Sequence, residues 1–229
     1  MRLLSTLFIT ALIVTAVPAS AQSTLPYDHV HLAAPDQAKA VEWYQKNFGG
    51  ETSPEGKDRL FFGKTRFIWL KSDTAKPSAD ATIDHIAFSV ADRAAGITTD
   101  PWGVKIEIVN DPAHRGFHHI HLNAPDPKAS LAWYQQRFGG ERVKFKGEDA
   151  LKYGEVLLLI QKATSTPAPS VGHALDHLGW RVADLDKTLA DLKGITVMQG
   201  PTELQLATGK VHYSFVVDPV GTKIELVQR

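Results

Sequence analysis

The strongest constraint on this chain is that it repeats itself. His29–Glu51 reads HVHLAAPDQAKAVEWYQKNFGGE and His119–Glu141 reads HIHLNAPDPKASLAWYQQRFGGE, identical at 13 of 23 positions without a gap, at a constant offset of 90. Self-similarity of this kind defines a supersecondary unit before any single residue is interpreted. A second set of segments repeats as well. IDHIAFSVAD (83–92) returns as LDHLGWRVAD (175–184), and DPWGVKIEIV (100–109) returns as DPVGTKIELV (218–227). The offsets are 92 and 118, so the first copy is 26 residues shorter between its two landmarks. Only seven residues separate Asp92 from Asp100, too few for a helix plus a hairpin.

Within one repeat the elements follow from pattern. YDHVHLAA alternates as a half-buried strand does. Asp36 is placed to cap the following helix, on which Val41, Tyr44 and Phe48 share a face, and Gly49 stands where a helix end favours a left-handed residue. RLFFGK and TRFIWLKS then read as two strands around a glycine turn. A full unit is therefore β-α-β-β-β. Proline-containing connectors at 76–82, 111–116 and 165–172 divide the chain into four modules, at about 26–75, 82–111, 116–164 and 173–229. Trp43, Tyr44, Trp133 and Tyr134 are expected to pack helix against sheet, and Trp180 to lie in the core.

The first 21 residues are set apart. A basic residue, an apolar run from Leu3 to Val17 and the small residues Ala19-Ser20-Ala21 predict a secretory signal, with a mature chain from near Gln22. Basic and acidic residues balance at 25 each, which offers no electrostatic footprint for nucleic acid. No membrane association is expected once the signal is removed. The chain has no cysteine, which excludes disulfides, thiolate ligands, lipidation at the cleavage site and a cysteine nucleophile. Any metal must be held by histidine and carboxylate, a donor set suited to iron, manganese, zinc or nickel.

Modules that open on xHxxLxxxD and close on DPxGxKIEL resemble the vicinal oxygen chelate superfamily, the glyoxalase, bleomycin-resistance and extradiol dioxygenase group. The resemblance spans essentially the whole chain after residue 21. It implies an α+β fold in which tandem βαβββ modules pair into two curved, incompletely closed barrels with a metal on the concave side, here with the second module truncated. Pairing of neighbours would make residues 22–112 one domain and 113–229 a second. The truncated module would retain two strands.

The same resemblance implies the ligands: the histidine of each opening strand and the glutamate of each closing strand. His29, His85, His119 and His177 each stand seven residues before a module aspartate, and Glu107 and Glu225 close the KIE segments. With neighbours paired, the sets are His29, His85 and Glu107, then His119, His177 and Glu225. Two histidines and one carboxylate leave positions open, as in non-haem iron oxygenases. The truncation predicts a more open first-half site, with catalysis in the second half. A fourth ligand used by glyoxalase-like members would fall on Trp69 and Leu159, which bind no metal, with Gln161 two residues beyond. Ring-cleaving members carry a tyrosine ten residues before the closing glutamate, and Phe215 stands there, with His212 and Tyr213 nearby as substitutes. His31 and His121, two residues past the proposed ligands, share their face as further ligands, as groups behind them, or as acid–base residues. His121 joins His212 and Tyr213 as a catalytic candidate. His118 is read as structural or exposed, and His114 and His173 as solvated.

The reading is an exported, metal-dependent enzyme, monomer or homodimer, acting on a small oxygen-bearing molecule in dioxygenase-like or lyase/isomerase-like chemistry. The alternative is a metal-free protein of the same fold that binds or sequesters a small molecule.

Overall fold

The computed structural model describes residues 23–206 and 208–229, so the expected signal at 1–21 lies outside the described residues. Module one runs β1 (Tyr27–Ala34), α1 (Gln37–Phe48), β2 (Glu51–Thr52), β3 (Arg59–Phe62) and β4 (Thr65–Lys71). Module two is β5 (Ile83–Ser89), β6 (Gly96–Thr99) and β7 (Lys105–Val109). Module three runs β8 (Gly116–Ala124), α2 (Pro127–Phe138), β9 (Glu141–Phe145), β10 (Glu148–Tyr153) and β11 (Val156–Lys162). Module four is β12 (Leu175–Arg181), α3 (Leu185–Asp191), β13 (Thr196–Leu206), β14 (Gly209–Val217) and β15 (Lys223–Gln228). The fold is α+β, and neither sheet closes into a barrel. Module two keeps three strands rather than the two expected, because residues 93–99 fit a short strand that hairpins onto β7.

The helices start and stop where the sequence placed them. Asp36, Asp126 and Asp184 each accept a hydrogen bond from the backbone N–H three residues on, satisfying a donor that the first turn leaves free. Gly49 and Gly139 end α1 and α2 at φ values of 77° and 73°.

Module one does not pair with module two, nor module three with module four. One sheet of eight strands runs β13-β14-β15-β12-β1-β4-β3-β2, joining modules one and four; a sheet of seven runs β6-β7-β5-β8-β11-β10-β9, joining modules two and three. The division expected at 112/113 therefore cuts through both sheets. The cause is the apolar back of each module. Phe67 of β4 meets Phe117 of β8 edge-on at 4.8 Å, Phe48 stacks on Phe88 at 4.2 Å, and Phe138 stacks on Trp180 at 4.8 Å. Each contact joins the two sheets or a helix of one to a strand of the other. Modules one and two, and likewise three and four, thus pack across the core in opposite sheets, while one shares a sheet with four and two with three. Burying such rings contributes roughly 1.5–3 kcal/mol each.

The closing motif has a structural part. Asp100 Oδ1 accepts from the N–H groups of Trp102 and Val104, while its Oδ2 accepts from the Tyr44 hydroxyl at 2.9 Å. Asp218 repeats this with Thr222 N–H and the Tyr134 hydroxyl, also at 2.9 Å. The tyrosine of each WY pair thereby pins the turn of the following module to the helix. Gly103 is required in that turn: its φ is 97°, and a Cβ there would stand 2.9 Å from Pro77 Cα.

Candidate functional site

The four opening strands meet in antiparallel pairs at the middle of the sheets, β1 with β12 and β5 with β8. In each strand the residue before the first ligand histidine is a bulge: Asp28, Asp84, His118 and Asp176 are each the extra residue opposite a continuous partner. A bulge re-aims side chains that regular alternation would send to opposite faces. Asp28 Oδ2 then lies 3.1 Å from His29 Nδ1, Asp84 Oδ2 lies 2.6 Å from His85 Nδ1, and Asp176 Oδ1 lies 2.6 Å from His177 Nδ1. Each carboxylate accepts the Nδ1 hydrogen and leaves Nε2 facing the concave side, as a carboxylate behind a metal-bound histidine does. Lys105 and Lys223 donate to Asp84 and Asp176 at 2.6 and 3.2 Å, so the lysine and glutamate of KIE serve one assembly.

Two clusters result. His29, His31, His177 and Glu225 form one; His85, His119, His121 and Glu107 form the other, and within each the ligand atoms lie within 4.8 Å of one another. In the first, the Nε2 atoms of His29, His177 and His31 stand 3.1, 3.2 and 3.8 Å from Glu225 Oε2. In the second, His119 Nε2 and His85 Nε2 stand 3.0 and 3.4 Å from Glu107 Oε2, and His121 Nδ1 lies 3.3 Å from His85 Nε2. All six expected ligand residues fall in the two clusters, but regrouped across the halves: His29 joins His177 and Glu225, and His119 joins His85 and Glu107. Each set gains a histidine, because His31 and His121 come within ligand distance.

The first cluster is built around a missing side chain. Gly179 lies opposite His29 in register, and a Cβ there would be 2.1 Å from His29 Cε1. The imidazole occupies the space over the glycine. His31 stacks on His177 with centroids 4.1 Å apart.

The electrostatics suit a cation. Burial works against the charged forms of His29 and His85, yet Glu225 and Asp28 raise the first above its ordinary pKa, and Asp84 and Glu107 raise the second. Burial and neighbouring imidazoles hold His31 well below its ordinary value and His121 at about 3; burial also holds His119 at about 4. Glu225 is depressed against its own burial by His29 and His177. A divalent metal fits this donor set. His31 Nδ1 and His121 Nε2 are buried and have no hydrogen-bond partner among the described residues, a state that costs about 1–3 kcal/mol per group.

The remaining sequence candidates fall differently. Phe215 lies opposite Glu225, with its ring 5.2 Å from that of His177 and Lys223 Nζ 4.0 Å above it. Tyr213 shares the face of Phe215, 5.5 Å away ring to ring, and His212 points to the other face. Neither is in a cluster. The equivalent of Phe215 in module two is Ile97, opposite Glu107. Trp69 is not at the fourth-ligand position: His31 is in register with Ile68, so Trp69 faces the core, where its ring meets Tyr44 at 5.0 Å. Module one is one residue out of step with module three between β1 and β4, and a one-residue slip reverses every face. Leu159 is in register with His121 as expected, and Gln161 donates to Asn123 at 2.7 Å. His114 is exposed. His173 is buried rather than solvated, since the connectors at 76–82 and 165–173 bridge one another. His118, read as structural or exposed, is buried against His119. The signal for it was in the sequence: Asp precedes the histidine in three openings, and His118 takes that place in the fourth.

A cavity of about 630 Å³ lies between the sheets beside Tyr27, Phe62, Phe117 and Tyr153, away from both clusters. Its position follows from module packing, and it touches none of the cluster residues.

Two sheets of paired βαβββ-type modules with histidine–glutamate clusters on their strands define the vicinal oxygen chelate fold. The model of the Glyoxalase/Bleomycin resistance protein/Dioxygenase superfamily, whose members include glyoxalase and dioxygenase enzymes, matches residues 116–226. No curated protein matches the chain in sequence. Among solved structures it is similar to glyoxalase I from Zea mays, with a TM-score of 0.66 at 16% identity over 90% of this chain and 92% of that one. A V278E mutant of that enzyme gives 0.69 at the same identity and coverage. A Bacillus subtilis protein provisionally assigned as a dioxygenase gives 0.56 at 14% identity over 91% and 86%. At these identities the likeness is one of fold.

Proposed function

We propose that the protein is an exported, metal-dependent enzyme of this superfamily that acts on a small organic molecule bearing neighbouring oxygens. The observation that carries the reading is the convergence of three imidazoles on one oxygen of Glu225, two of them backed by aspartate. His29, His31, His177 and Glu225 would hold the metal, as would His85, His119, His121 and Glu107 at the second cluster. A bound divalent metal would supply Lewis acidity toward substrate oxygens. Four protein ligands leave room for two such oxygens only at a six-coordinate ion, which favours iron, manganese or nickel over tetrahedral zinc.

The chain's own residues do the rest. Asp28 and Asp176 fix the tautomers of His29 and His177, and the buried strand floor excludes water from the Nε2 atoms. Phe215 walls the cluster without a proton to give, so the acid–base tyrosine of ring-cleaving relatives has no equivalent at that position. Lyase, isomerase or oxygen-inserting chemistry that places no such demand is the class to assay. Export rests on the residues that precede Gln22.

Metal content of the untagged protein by mass spectrometry, before and after reconstitution with iron(II), manganese, nickel and zinc, tests the reading. Bound metal that falls by one equivalent in His177→Ala supports it. Protein that binds none of the four overturns it and leaves the metal-free binding cup.

A further inference from the structure

We propose that the two clusters are metal sites of unequal affinity, and that His118 is the positioning residue that makes the Glu107 site the weaker. This rests on the reading of both clusters as metal sites, and concerns what lies behind the ligands.

Three of the four bulged residues are aspartates that accept directly from a ligand histidine. The fourth is His118, buried, with its Nδ1 2.9 Å from His119 Nδ1 and its Nε2 3.3 Å from Asp111 Oδ2. One hydrogen fits between the two Nδ1 atoms. His119 can offer an Nε2 lone pair to a cation shared with Glu107 only when that hydrogen is its own, so for metal binding His118 must accept at Nδ1 and carry its hydrogen on Nε2. Asp111 accepts there and fixes the choice. Orientation of His119 is thus set through two hydrogen bonds in series. The partner that touches it is a neutral imidazole, a weaker acceptor than a carboxylate, and leaves the ligand less basic. His114 Nδ1 competes for the same Asp111 oxygen at 3.0 Å.

Three further differences act the same way. Ala87 faces His119 where Gly179 faces His29, so a methyl group occupies the space that the His29 ring fills. The Glu107 side chain is 23% exposed against 10% for Glu225. Lys146 Nζ lies 3.8 Å from Glu107 Oε1, a positive charge beside the carboxylate that would hold a cation. At the Glu225 site, Arg66, Arg181 and Arg229 also share Asp28. Its Oδ2 still faces His29, and Asp176 serves His177, so this cluster has two carboxylate-backed histidines against one.

The test is a cobalt(II) titration of the full chain against a chromophoric chelator. Wild type should bind two ions with distinct dissociation constants, Glu225→Gln removing the tighter and Glu107→Gln the weaker. In the Glu225→Gln background, His118→Ala should weaken cobalt binding about 10–100-fold, and Asp111→Ala should weaken it less. His118→Asp should restore or exceed the parent affinity. If His118→Ala fails to fold, His118→Asn, which retains one acceptor, should fall between the parent and the expected loss. Equal affinities in wild type, or unchanged binding in both His118→Ala and His118→Asn, would overturn the proposal. Absence of cobalt binding in wild type would instead remove the metal reading of both clusters, and this inference with it.

Discussion

His29 Nε2 lies 3.1 Å from Glu225 Oε2, although 196 residues separate the two in sequence. That contact fixes which modules make a site. A histidine from the first opening strand and a glutamate from the last closing strand meet because β1 and β15 both flank β12. Neither half of the chain holds a complete cluster.

Metal stoichiometry should report this grouping. His29→Ala and Glu225→Gln should each remove the same single equivalent, and the double variant should lose no more than either alone. His85→Ala combined with Glu225→Gln should lose both equivalents. If His29→Ala and His85→Ala proved redundant, the sites would lie within the halves and the grouping would be wrong.

Gly179→Ala should empty the Glu225 site while sparing the Glu107 site. A methyl placed 2.1 Å from His29 Cε1 forces the ring off its position, because the glycine sits in a central strand that has little room to move. Site-resolved metal content in Glu107→Gln and Glu225→Gln backgrounds checks it. Full occupancy of the Glu225 site in Gly179→Ala would show that the ring needs no such space.

Tyr134→Phe should destabilise the protein by about 1–3 kcal/mol without changing metal content, since it strips a donor from the buried Asp218 carboxylate and touches no cluster residue. Tyr44→Phe should do the same at Asp100. Urea unfolding measures the loss. Unaltered unfolding midpoints in both variants would mean that backbone donors alone anchor the turns.

In chelator, stability should peak near pH 6.5, the ordinary value for histidine. Burial first, then neighbouring imidazoles, keep His119 at about 4 and His121 at about 3. Below about pH 6.5 the unfolded chain takes up protons that these folded groups refuse, so stability falls as pH drops toward 3–4. His29 and His85 have the opposite sign. Their folded values are raised, so the stability they contribute is complete below about pH 6.5 and is lost as pH climbs through them. Melting temperatures from pH 4 to 9 would show the maximum, and a profile that rises steadily to pH 9 would contradict it.

Much of this was legible in sequence. The repeat placed four strand openings, the capping aspartates and both closing glutamates, and the structure gathers all six proposed ligand residues into two clusters. What escaped were features that no repeat encodes. The offset of 90 puts Trp69 at the fourth-ligand position and hides a one-residue shift between β1 and β4, visible only in the pairing of His31 with Ile68. The aspartates behind the ligands were written in plain view as DH, but strict alternation sends adjacent residues to opposite faces. Only the bulges at Asp28, Asp84 and Asp176 bring them to their histidines.

The sequence by itself therefore determined the modules, the histidines and glutamates of the clusters and the helix ends, since periodicity and capping are local and each is satisfied within a few residues. The tertiary structure alone decided which module faces which. Four openings of one pattern can pair along their backbones in more than one combination at similar cost, because backbone hydrogen bonds do not distinguish them. The choice is made by Phe48, Phe67, Phe88, Phe117, Phe138 and Trp180, whose burial packs one sheet against the other and leaves β1 paired with β12.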